Sequence, residues 1–189
     1  MKVIYCGQFT DSSGYGSAAR SYLKAVDSVI NKNLSLKIHN VAFEGSSKIS
    51  VDQNDLIKKY SFSSYQELDD YTKDNDHIVI WHLPAPSLLV HKQRHKKIFP
   101  ITEKIIRSAK RLINLAAWEY NTIPLEWKKV YKEYNFDSII VPSQWNYDIF
   151  SEACPNMDCH LVPHVIEDNS KEAQCCLLYT SDAAAIYSV

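Results

Sequence analysis

The chain has 189 residues, 46% hydrophobic and 23% charged, with a formal net charge of −1. That is enough for one domain with a sizeable core, and the near-zero charge removes any global reason to expect nucleic acid as a partner. No run approaches the ~18 consecutive apolar residues that span a membrane, and Met1-Lys2-Val3-Ile4 enters a strand too early for the apolar core of a signal peptide, so a cytoplasmic location is expected.

Val3-Ile4-Tyr5-Cys6 reads as a first strand, and Ser12 to Arg20 leads from it into an amphipathic helix from Ala18 to Val29. Gly7, Gly14 and Gly16, three of the chain's four glycines, fall in this one turn. Glycine there lets backbone approach another group closely, and free N–H groups at a helix start favour an anion, usually phosphate. A plain strand-to-helix turn with a cap is the alternative. Leu34 to Phe43 alternates as a second strand, residues 44–53 form a polar loop, and Asp52 to Tyr60 and Ser63 to Tyr71 read as short helices. Ser64 and Glu67 have the spacing of a capping box.

His77 to His82 is a near-continuous apolar run, as in a parallel strand buried on both faces, and Pro84 and Pro86 end it. Helical patterns at Ser87 to Lys96 and Ile101 to Ser108 precede a strand at Leu112 to Trp118. A helix from Ile123 to Tyr134 follows, with Pro124 in its first turn. Asp137 to Val141 is a strand stopped by Pro142, Ser143 caps a helix running to Ala153, and Cys159 to Val162 is a last strand stopped by Pro163.

This alternation predicts a Rossmann-like α/β fold, a parallel sheet with helices on both faces. Such sheets bind ligands beyond the carboxyl ends of their strands. The polar residues at those ends are Ser12 to Gly16, His82, Glu119 to Asn121, Ser143 to Asn146, and His164. Cys154, Cys159, His160 and His164 have a metal-like pattern, but adjacent residues on a strand point to opposite faces, so no metal is expected. Cys6 reads as a small apolar core residue. The run Cys176-Leu177-Leu178-Tyr179-Thr180-Ser181-Asp182-Ala183-Ala184 is similar to the translation of a library adapter, so residues 175–189 are expected to be a non-biological tail on a truncated reading frame.

The strand-end motifs together resemble the N-terminal domain of a family 4 glycosyltransferase with the GT-B fold. They are Ser13-Gly14-Tyr15-Gly16, Trp118-Glu119-Tyr120-Asn121-Thr122-Ile123-Pro124, Val141-Pro142-Ser143-Gln144-Trp145-Asn146 and Val162-Pro163-His164. The resemblance implies residues 1–165 as the acceptor-side domain and 166–174 as the start of an interdomain linker. It implies sugar transfer from a nucleotide-sugar donor to a glycan or lipid-linked acceptor, with retention and without metal. No bound cofactor is implied, the nucleotide sugar being a co-substrate. Gly14, Tyr15 and Gly16 stand at the donor-phosphate positions, and Ser13, His82, Trp118, Tyr120, Asn121, Ser143 and His164 at the acceptor side of the cleft.

Many members of the family carry a histidine where this chain has Glu119, so Glu119 is the candidate catalytic or sugar-orienting group. The alternative is a carboxylate that caps the next helix or pairs with Lys128. His82 either meets acceptor or is a satisfied structural histidine, and Ser143 reads first as a helix cap. With the donor domain outside it, the chain is expected to be inactive alone.

Lys92, Arg94, Lys96, Lys97, Lys104, Arg107, Lys110 and Arg111 crowd basic charge against the single acid Glu103, which fits peripheral contact with an anionic membrane or a solvated helix face. Two other functions compete. A dinucleotide-dependent oxidoreductase shares the fold class, with Glu44 in the place of a ribose-binding acid, but lacks the third fingerprint glycine. A non-catalytic carbohydrate-binding module would use Trp118, Tyr120 and Trp145 for stacking.

Overall fold

The computed structural model describes residues 1–41 and 55–165. Phe43, the loop 44–53 with Glu44, the first residues of the Asp52 helix, the linker 166–174 and the tail 175–189 lie outside the described residues. The strands are β1 (Lys2–Gly7), β2 (Ser35–Asn40), β3 (His77–Trp81), β4 (Arg111–Leu115), β5 (Ser138–Val141) and β6 (Asp158–Leu161). They form one six-stranded sheet in the order β2-β1-β3-β4-β5-β6, and every pairing is parallel. The expected Rossmann-like α/β architecture is present.

Parallel neighbours need crossover segments, and these are the helices. They are α1 (Gly14–Val29), α2 (Asp55–Tyr60), α3 (Tyr65–Thr72), α4 (Ser87–Arg94), α5 (Phe99–Arg107), α6 (Leu125–Tyr134) and α7 (Gln144–Ala153). Alternation along β1 sends Val3 and Tyr5 to one face, where they pack with Ala19, Tyr22 and Leu23 of α1 and Ile57 and Tyr60 of α2. Ile4 and Cys6 go to the other face, joining Leu68 of α3, Leu88 of α4, Ile105 of α5, Trp127 of α6 and Phe150 of α7. Helices therefore cover both faces, and the central strands are largely buried on both sides, with Asn114 of β4 the buried polar residue that bonds the Trp81 and Leu83 carbonyls.

Many element boundaries shift from expectation by a few residues, and three of the shifts bear on the site. Helix α1 starts at Gly14, four residues earlier than Ala18, because Ser13 caps it by accepting the Gly16 N–H. Two glycines are poor helix formers in an interior, but first-turn positions do not ask for interior propensity. Strand β4 stops at Leu115, short of Trp118, and Pro124 stands just before α6 rather than in its first turn. Ser64 and Ser143 cap α3 and α7 as expected, accepting the N–H groups of Glu67 and Asn146.

Strand β1 lies between β2 and β3, so the chain winds outward to β2 and returns across β1. The carboxyl ends of β1 and β3 thus flank a topological switch point, the place where open α/β sheets hold ligands.

Candidate functional site

A cleft of about 240 Å³ opens at that point, lined by Gly14, Tyr15, Ala18, His82, Ala117, Glu119 and His164. It joins the start of α1, the residue after β3, the segment after β4 and the segment after β6. Five residues singled out in the sequence, Gly14, Tyr15, His82, Glu119 and His164, meet there although up to 150 positions separate them. A larger cavity of about 560 Å³ lies at the other end of the sheet, between the carboxyl ends of α6 and α7, and contains none of these residues.

The start of α1 is rigidly held. Asp11 accepts the Ser13 N–H at 2.7 Å, and the Arg20 Nη1 donates to the Phe9 carbonyl at 3.1 Å and to the Asp11 carbonyl at 2.6 Å. The Gly16 N–H, at a position that the resemblance assigns to donor phosphate, is engaged by Ser13 Oγ at 3.3 Å. Gly16 is required for packing. A Cβ there would overlap the Asp11 carbonyl oxygen and come within 2.9 Å of the Gln8 carbonyl oxygen, whereas a Cβ on Gly14 meets nothing within 4 Å. Gly14 and Tyr15, the first two helical residues, keep the N–H groups that the helix itself leaves unbonded. The first turn holds no acidic side chain to offset its partial positive charge.

Tyr15 ties this turn to the segment after β4. Its hydroxyl donates to the Ala117 carbonyl at 3.0 Å and lies 3.3 Å from the Ala117 N–H. Burial pushes its phenol up to about 12, so it stays protonated. These bonds take the backbone of Ala117 out of the ladder, and that is why β4 ends early. His82 is 1% exposed and sits among three tyrosine rings, those of Tyr5, Tyr15 and Tyr22. Burial, with His164 nearby, pushes its imidazole down to about 3, and the ring is neutral at pH 7. Tyr22 reaches His164 from the other side, 3.4 Å from its Nδ1, and donates to the Pro163 carbonyl at 3.2 Å.

Glu119 is exposed on the cleft rim. The remaining candidates stand outside the cleft lining. Ser13 and Ser143 are helix caps, and Trp118 packs against Trp127 while its indole N–H donates to the Thr122 carbonyl at 2.8 Å. Tyr120 and Asn121 are exposed beyond it. Sequence reasoning missed Tyr5, which reads as an ordinary apolar strand residue, and it singled out Asn146 only as a strand-end polar residue, whereas Asn146 bonds the backbone of Trp118 and so holds the Glu119 segment in place.

Acids on α3, α5 and α6 meet part of the basic stretch from Lys92 to Arg111. Lys92 lies 3.9 Å from Glu133, Lys104 pairs with Asp69, and Arg107 lies 3.8 Å from Glu103. Arg94, Lys96, Lys97, Lys110 and Arg111 remain exposed. Among the described residues no helix is long and apolar enough to cross a membrane, and no three His, Cys, Asp or Glu side chains gather as a metal ligand set. No family model matches the chain, and no curated protein is significantly similar to it.

Proposed function

We propose that the chain is the acceptor-side half of a retaining family 4 glycosyltransferase of GT-B architecture, with the start of α1 turned toward the diphosphate of a nucleotide-sugar donor. The supporting observation is the cleft at the switch point, where Gly14 and Tyr15, whose N–H groups the helix leaves unbonded, share a wall with His82, Glu119 and His164. A departing nucleoside diphosphate gains negative charge, and oriented N–H groups stabilise that charge without reorganising. Glu119 on the rim would accept hydrogen bonds from sugar hydroxyls of donor or acceptor, the acceptor being a glycan or a lipid-linked sugar. The opposite wall would belong to a separate donor-binding domain, so this unit alone turns over no nucleotide sugar.

The test is titration of the purified chain with UDP-, GDP- and ADP-sugars and, separately, NAD, followed by amide chemical shifts. Shifts of Gly14 and Tyr15 with a nucleotide sugar and none with NAD support the reading. A response to NAD alone, or sugar transfer by the chain alone, overturns it. Tyr120 and Trp145, 64% and 54% exposed, favour a second reading as a carbohydrate-binding module, since exposed aromatic faces stack on sugars. Binding of plain oligosaccharides with no response to any nucleotide would select it.

A further inference from the structure

The Tyr5 hydroxyl lies 2.5 Å from His82 Nδ1, buried on the α1 side of the sheet, with the two rings stacked 9° from parallel. Two arrangements of protons fit that distance. In one, Nδ1–H donates to the phenol oxygen. The Tyr5 O–H then has no second acceptor within reach, and the His82 Nε2 lone pair is stranded among tyrosine rings. In the other, the phenol donates to Nδ1, the imidazole proton resides on Nε2, and the one group left without a protein partner is that Nε2–H on the cleft wall. The first strands a buried hydroxyl hydrogen and a ring lone pair, whereas the second leaves only an Nε2–H beside the cleft; each stranded buried group costs about 1–3 kcal/mol, so the second arrangement prevails.

Among the described residues the Nε2 atom has no hydrogen-bond partner, and it is not sealed in the interior as His77 Nδ1 is. It belongs to a residue of the cleft wall. The ionisable groups around it are Tyr5, Tyr15, Tyr22, His164 and, on the rim, Glu119. The tyrosines are held protonated by burial.

We infer that Tyr5 is a positioning residue that holds His82 as the neutral Nε2–H tautomer, so that the cleft presents an imidazole donor beside the Gly14 and Tyr15 N–H groups. Three donors on residues of one cleft wall favour an anionic oxygen, held away from the Glu119 carboxylate on the rim. For the nature of that ligand the inference rests on the nucleotide-sugar reading, which makes it a diphosphate oxygen. The tautomer itself does not depend on that reading. A histidine locked in this way keeps its donor throughout pH 5–8, where a free histidine changes charge.

The experiment is long-range proton–nitrogen correlation of the histidine rings in the whole chain, between pH 5 and 8. A single neutral Nε2–H pattern for His82 is expected throughout. Tyr5→Phe removes the donor and should mix the tautomers, while Tyr22→Phe, which touches the same ring but not Nδ1, leaves the pattern unchanged. Titration with UDP, GDP and ADP then reads the consequence. The nucleoside diphosphate that binds should lose about tenfold in affinity in Tyr5→Phe, the worth of one hydrogen bond. An Nδ1–H pattern, an imidazolium at pH 6, or an unaltered His82 ring in Tyr5→Phe overturns the inference, and the wild-type spectrum decides the first two without any variant. If the tautomer and its dependence on Tyr5 are found but no nucleoside diphosphate binds, the positioning role stands and the glycosyltransferase reading falls.

Discussion

Asn146 holds the backbone of Trp118 from both sides, its Oδ1 accepting the N–H at 2.6 Å and its Nδ2 donating to the carbonyl at 3.1 Å. The side chain is buried, and a third contact, Nδ2 to Ser143 Oγ at 3.1 Å, orients the amide. The segment bearing Glu119 is therefore fastened to the start of α7. Asn146→Ala leaves two backbone groups without partners and should lower unfolding free energy by about 1–3 kcal/mol, read from the urea midpoint. The Trp118 amide should also lose its protection from hydrogen exchange, and unchanged exchange would show that the clamp is unimportant.

The two glycines at the start of α1 should respond in opposite ways. Gly16→Ala drives a methyl group into the Asp11 carbonyl and should destabilise by several kcal/mol or prevent folding. Gly14→Ala meets open space and reduces the freedom of the unfolded chain, so the melting temperature should hold or rise, with at most about 1 kcal/mol of stabilisation. The same Gly14 methyl projects where a phosphate would approach, so weakened nucleotide binding with intact folding is the expected pair of results. Tight binding by Gly14→Ala would place the ligand elsewhere.

Stability should fall on acidification before any carboxylate titrates. Burial, the largest cause for each, holds His82 at about 3 and His39 and His91 at about 4 in the fold, below the 6.5 of an unperturbed histidine. The unfolded chain thus binds more protons below pH 6.5, and stability present above that value is lost as pH falls toward 4. Each histidine contributes a limiting slope of about 1.4 kcal/mol per pH unit. Glu67, held at about 2 chiefly by its hydrogen bond with Lys37, acts in the same direction but only below pH 4.5. Urea midpoints at pH 7.5, 6.0 and 5.0 should decrease in order, and a constant midpoint would mean that these histidines are charged in the fold.

Glu119→Ala tests the rim. The side chain is exposed, and substitutions of that kind stay within about 0.5 kcal/mol of wild type. Any loss of sugar or nucleotide-sugar affinity in this variant therefore reports a ligand contact. Equal affinity in wild type and variant would leave Glu119 as a solvated carboxylate.

Strands and caps were legible in the sequence because their signals are local. Pro142 and Pro163 mark strand ends, and Ser64 and Ser143 precede helices at capping spacing. The position of the cleft was legible too, since strand alternation alone selects the carboxyl ends. Ser13 also carried the start of α1, but the glycines beside it read as a turn and concealed it. Tyr5 and His82 are 77 positions apart, and their bond arises only when β1 and β3 pair in the register that sets Tyr5 opposite Ile80. Asn146 looked like one more residue of a capped first turn, because the backbone it serves belongs to another element. Polar side chains that bond distant main chain leave no periodic trace.

The double contact of Tyr15 with Ala117 makes the first turn of α1 and the segment after β4 move as one body. A ligand entering the cleft finds its two nearest walls already in register, and it need not order a loop to be held. Association should then be fast, limited by encounter more than by rearrangement, and similar ligands should differ mainly in how quickly they leave.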